Sequence, residues 1–218
     1  MTAMTRSARS LLTRPRTGEV RVRVGALGLS TLGVQAIGRI EAVGPEAGGF
    51  APGDRVAYRF TDKTPGLTHI LPERDLIGFP KDVPVEKAAA LLPMGLIART
   101  IVKQLHSIGR GNRVSVAADP SGCDAFVRAW AEHLDAVIVD ESESNIDVAI
   151  TTEDYKAARV FKNTHGLAQL AASDVFQAVR KGVFDGLEIA SYPLSDAAKA
   201  KSIVSTGGAS GPVVLMAA

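Results

Sequence analysis

Residues Val114–Asp140 read VSVAADPSGCDAFVRAWAEHLDAVIVD, and this stretch decides the fold. A short apolar run (Val114, Val116, Ala117) meets a turn, Asp119-Pro120-Ser121-Gly122. A segment with helical spacing follows through Trp130, and a second apolar run, Ala136 to Val139, ends on the acid Asp140. Strand, turn, helix, strand is a βαβ unit with a right-handed crossover. When such a unit holds a dinucleotide, two or three glycines let the backbone approach the pyrophosphate while the helix N-terminus faces it. Here Gly122 stands alone, with Ser121 before it and Asp124 in the first helical turn. Ser121 and Gly122 are therefore the candidate phosphate-side residues, and Asp140 is the candidate acid for ribose hydroxyls. Each has a plainer reading. Gly122 suits any turn before a helix. Asp124 gains roughly 0.3–1 kcal/mol from the helix dipole, though it would also repel a diphosphate. Asp140 belongs equally to an acidic turn with Glu141 and Glu143.

On the N-terminal side the periodicity changes from helical to alternating. Glu19 to Val24 (EVRVRV) alternates apolar and charged residues and predicts a half-buried strand, with Gly25 to Ser30 as a glycine-broken turn. Val34 to Val43 predicts a second strand, bulged at Gly38, Arg55 to Phe60 a third and Gly66 to Leu71 a fourth, before a short strand at Leu76-Ile77. The chain up to residue 85 thus reads as a small β-barrel. Val85 to Leu92 and Gly95 to His106 predict two helical segments. Beyond the βαβ unit, Ile146 to Ile150 predicts a strand and Leu167 to Val183 a helix, with Ser173 or Asp174 capping a second segment. Leu187 to Tyr192, Ser195 to Val204 and Pro212 to Met216 then give strand, helix and strand.

Composition narrows the class without naming a reaction. At 218 residues and 46% apolar the chain can bury a sizeable core. A net charge of +2 gives no case for nucleic acid as a partner. Six arginines crowd positions 6 to 23, and residues 1–17 read as a flexible N-terminus. No apolar run has the length of a membrane span, and the N-terminus lacks a signal-peptide apolar core. The single Cys123 excludes an internal disulfide and a multi-cysteine zinc site, and fits a reducing cytoplasm. Beside a helix N-terminus it reads either as an activated thiol or as a buried one. His69, His106, His133 and His165 are scattered, with no metal-binding spacing. Tyr58 and His69, with Arg59 between them in sequence, are the candidate acid–base residues on the condition that all three face one cleft; the plainer reading is the polar face of a strand.

Several phrases in order carry a family resemblance. They are GEVRVRV at 18–24, GRIEAVG at 38–44, GFAPGDRVAY at 49–58, EKAAALLPMGLIA at 86–98, YPLSDAAKA at 192–200 and the closing GPVVLM. Together they resemble the medium-chain dehydrogenase/reductase superfamily, in its zinc-independent quinone oxidoreductase and enoyl reductase branch. The resemblance implies an α/β plus β fold: a GroES-like β-barrel domain (18–92), an inserted, truncated Rossmann-like domain (93–183), and a C-terminal segment (184–218) returning to the barrel. It implies NADPH or NADH as cofactor, no zinc, a small-molecule substrate (a quinone or an activated C=C bond) and a homodimer paired through strand edges such as 212–216 or 146–150.

The departures are as informative. Only seven residues separate Ser30 from Gly38, where the family has a long active-site loop. Ser30 and Ile97 stand where members carry asparagine and threonine. Five residues separate Asp140 from Ile146, too few for a further helix and strand, and the last two strands of the nucleotide domain find no counterpart after Ile150. Weak or absent cofactor binding is the expectation from the depleted phosphate turn. The competing reading is a non-redox isomerase, cyclase or dehydratase, or a non-catalytic binding protein, on the same scaffold.

Overall fold

The computed structural model describes residues 14–31, 33–60, 67–160 and 165–217. The expected flexibility of residues 1–17 falls mostly outside them, as does the start of the fourth predicted strand.

A seven-stranded sheet is built from β1 (Glu19–Ser30), β2 (Gly33–Val43), β3 (Arg55–Phe60), β4 (Thr68–Pro72), β5 (Ile77–Gly78), β9 (Ala190–Pro193) and β10 (Val213–Met216). Its order is β5-β3-β2-β1-β10-β9, and β4 pairs with the flank of β1 that β10 leaves open. The C-terminal segment therefore returns to the N-terminal sheet. β10 lies between β1 and β9, so it is not the open edge that the sequence suggested.

β1 does not stop at Gly25. Val24 faces Gly38 and Ala26 faces Ile37, so Gly25 is the extra residue of a bulge and the strand bends instead of turning back. The bulge expected at Gly38 thus sits opposite it, on β1. Gly38 is required for closeness: a Cβ there would lie 2.4 Å from the Arg23 carbonyl oxygen.

Three parallel strands form a second sheet, β7-β6-β8, from β6 (Arg113–Val116), β7 (Val137–Val139) and β8 (Val148–Ile150). Among the described residues no further strand extends it. Five α-helices complete the described fold: α1 (Val85–Arg99), α2 (Cys123–His133), α3 (Thr152–Val160), α4 (His165–Arg180) and α5 (Ala197–Ser205). The two segments expected at 85–92 and 95–106 are one helix, running through Pro93 and on into a π-helical turn over Thr100–Leu105. The expected boundary at residue 92 falls inside it. Burial overrides the proline, since Ala88 to Leu92, Met94, Ile97 and Ala98 all enter the core. Ser173 and Asp174 lie within α4 and cap nothing; Asp174 instead holds Arg99 (2.8 Å) and Lys103 (3.4 Å) at the end of α1 and its π-turn.

The alternation of β3 separates two cores. Val56 and Tyr58 face a cluster with Val20, Val22, Ile40 and Leu215. Ala57 faces the other way, into a cluster that joins Ala26 and Ile37 of the sheet to α1, α2, α4 and the small sheet. That second face forms the seam between the two halves of the molecule.

Candidate functional site

At the seam the end of β1, the middle of α1 and the start of α2 meet. A cavity of about 120 Å³ lies between Ser30, Pro93, the Pro120–Gly122 turn and the loop 207–211. Ser121 and Gly122 are thus brought to a cleft. Gly122 has φ +76°, a left-handed conformation that favours glycine, and it caps the start of α2. A Cβ there would meet no atom within 4 Å, so the turn is open on that side. Asp124 does not line this cavity. Its charge acts instead on Cys123 and Tyr155.

The acid that matters at the turn is Asp119. Its side chain is 4% exposed, and Nη2 of Arg159 on α3 lies 2.7 Å from each of its carboxylate oxygens. The same nitrogen reaches the Ser121 hydroxyl oxygen at 3.0 Å, and Ser121 also hydrogen-bonds to Asp119. An ion pair from forty residues downstream thus closes the back of the turn. Nε of Arg159 is buried and has no partner among the described residues. The α3 helix that brings Arg159 here went unpredicted, although Thr151-x-x-Asp154 is a helix-start signal.

A second cavity of about 290 Å³ continues from the first across Ser30 and Pro93, which line both. Arg59 and Gln35 enter it from the sheet, Ile97 and Thr100 from α1 and the π-turn, and Arg159 from α3. Ile97 and Ser30 were singled out from sequence; Arg159, Gln35 and Thr100 were not.

The other predicted residues lie elsewhere. Tyr58 Oη and His69 Nδ1 are 2.7 Å apart and both side chains are buried in the barrel-side cluster, on the opposite face of β3 from the seam. Arg59 follows Tyr58 on β3 and points to the other face, yet Tyr58, Arg59 and His69 all line one cavity of about 420 Å³, which shares only Arg59 with the cavity beside Pro93. Burial pushes the Tyr58 phenol up, so it stays neutral. Asp140 is exposed at the end of β7 and lines neither cavity. Its Oδ1 accepts from the Ser142 amide (2.9 Å) and hydroxyl (2.6 Å), which hold its carboxyl below the usual range. Cys123 is buried, and burial, then the charge of Asp119, push its thiol up. This is the inert of its two readings. Among the described residues no three His, Cys, Asp or Glu side chains gather as a metal site, and no helix is long and apolar enough to cross a membrane.

A barrel-side sheet reached by both ends of the described chain, with a βαβ half inserted and a cleft at the phosphate turn, defines a dehydrogenase-type fold. No family model matches the sequence. It is similar to the quinone oxidoreductase of Pseudomonas aeruginosa, 29% identical over 226 residues, covering 89% of this chain and 66% of that protein. It is also similar to a 2-haloacrylate reductase of a Burkholderia species, 26% identical over 149 residues, covering 57% of this chain and 45% of that protein. Among solved structures, the Escherichia coli quinone oxidoreductase complexed with NADPH matches with a TM-score of 0.72 at 16% identity, over 94% of this chain and 93% of that one. The chain thus spans just under two thirds of the length of the first curated relative and less than half of the second. The fold is that of the medium-chain dehydrogenase/reductase superfamily. In sequence the chain is similar to a quinone oxidoreductase and a 2-haloacrylate reductase of that fold.

Proposed function

We propose that this protein is a nicotinamide-dependent reductase of a small molecule carrying a quinone or an activated C=C bond. The observation that carries this reading is the cleft in which left-handed Gly122 opens the start of α2 toward the end of β1. The first-turn amides of α2 suit the diphosphate of a dinucleotide, while the Ser121 hydroxyl is already given to Asp119. Asp119, which would otherwise oppose an anion, is already paired with Arg159. On this reading the acid for the ribose is Asp140, exposed at the end of β7. When bound, the dihydronicotinamide supplies a hydride to the acceptor, which also takes one proton from solvent. The protein's own part is to align the acceptor in the second cavity and keep water from it.

Cofactor binding is weak on this reading. Only one glycine serves the turn, and Asp140 is already folded onto Ser142. The protein works in the reducing cytoplasm, where its single thiol stays free, and pairs as a homodimer through the open flank of β8. Titration with NADH and NADPH tests the central claim. A saturable rise in Tm with either is expected, requiring concentrations near about 1 mM. No rise with either cofactor at about 10 mM would defeat it. Light scattering that gives a monomer at high concentration would remove the homodimer.

A further inference from the structure

The rim where β7 ends carries negative charge and no basic side chain of its own. Between His133 and Lys156 the sequence holds no Lys, Arg or His, and that stretch supplies β7, the turn after it, β8 and the start of α3. β7 pairs in parallel with β6, Ser115 facing Val139, so Asp140 stands at the strand end beside the one that runs into the phosphate turn. A dinucleotide whose diphosphate sits at the start of α2 lays its adenosine ribose over that neighbouring strand end. Asp140 and Glu141 are both exposed there. Glu143 pairs with Arg113, so its charge is already balanced. Asp140 accepts from Ser142 through Oδ1, and these bonds, not a cation, hold its carboxyl low and ionised. The arginines of the phosphate turn reach other acceptors, Arg159 the Asp119 carboxylate and Arg128 the Val116 carbonyl.

We infer that this rim selects NADH against NADPH, the charge of Asp140 repelling the 2′-phosphate that distinguishes the second cofactor. Resting on the reductase reading, this adds the choice of nucleotide to it. A ribose 2′-hydroxyl can donate a hydrogen bond to a carboxylate, whereas a 2′-phosphate brings acceptor oxygens and a charge of about −1.5 to −2. A rim suited to NADPH offers an arginine to that phosphate, and residues 134–155 contain none. Exclusion needs only the charge, so it holds while Ser142 stays bound to Oδ1.

Calorimetric titration of the full chain with NADH and with NADPH, in the absence of any acceptor, reads this choice directly. NADH should bind at least about tenfold tighter at low ionic strength, and about 0.5 M NaCl should narrow the gap, because exposed charges are screened. Asp140→Asn keeps an oxygen for Ser142 and removes the charge, and at an exposed position it leaves the core untouched. NADPH should then bind about fivefold tighter than to the unaltered protein. NADPH bound as tightly as NADH or more so, or NADPH binding unaltered by Asp140→Asn, overturns the inference and leaves the reductase reading standing. Failure of both cofactors to bind overturns the two together.

Discussion

Asp154 shows how much one side chain can carry. Its Oδ2 accepts from the Thr151 amide (2.8 Å) and hydroxyl (2.9 Å), and its Oδ1 lies 2.8 Å from His106 Nε2 on the far side of the π-turn. Burial pulls its carboxyl upward, but the hydrogen bonds from Thr151 and His106 outweigh it and hold the carboxyl below its ordinary range. The sign follows. A carboxyl depressed in the folded state stabilises fully above its unfolded pKa, about 3.9, and that contribution is lost as pH falls through the folded value. Asp154→Ala should therefore cost about 1–2 kcal/mol in denaturant unfolding near neutral pH and little in strong acid. Cys123 gives a second test at this scale. Its buried, neutral thiol should resist a disulfide reagent in the native protein and react on unfolding; rapid native labelling would contradict the burial. The Thr151-x-x-Asp154 signal was legible in the sequence, but the helix after it, TEDYKAARV, is too polar to announce itself by apolar spacing. The pairing of Asp119 with Arg159 was not legible at all, because nothing local links residues forty apart.

Among the elements, α1 and β1 fit through one contact. Pro93 has no N–H to give to the Ala89 carbonyl four residues before it. That carbonyl points at Gly28, where a Cβ would stand 1.9 Å from its oxygen. The freed acceptor thus lies against the Cα–H of a strand glycine, a weak but favourable contact. Gly28→Ala should destabilise by about 3 kcal/mol or more, because neither the helix nor the strand can give way. A loss under about 0.5 kcal/mol in urea unfolding would show that the two do not pack this closely. Sequence reading placed a turn at Gly25–Ser30 and a break near Pro93, since glycine and proline ordinarily interrupt strands and helices. Each instead marks where the two elements approach. Only the packed structure distinguishes those uses of the same residues.

Across the whole molecule, one apolar cluster ties the sheet to the inserted half. It runs from Ala26, Ile37 and Ala57 through α1 to Val114, Trp130 and Phe176. The lone Trp130 sits inside it, against Phe184. Trp130 fluorescence and far-UV circular dichroism should accordingly report a single coincident transition; separated midpoints would mean that the halves unfold independently. The order of segments was readable from PGDRV at 52–56, the βαβ stretch and the closing GPVVLM, and with it the return of the chain to its first sheet. The face that each strand residue presents across the seam was not. That is why Arg59 could be noticed beside Tyr58 but not separated from it.

The pairing of β1 sets a schedule for synthesis. The flank at Ala26–Leu29 waits for Val213–Met216, made about 190 residues later. At 5–20 residues per second a ribosome needs on the order of ten to forty seconds to deliver that partner. Throughout that interval the nascent chain carries an unzipped, apolar border, and a chaperone that shields such borders would be its natural escort. Stalled translation products ending before Val213 should clump, while the finished chain stays dispersed.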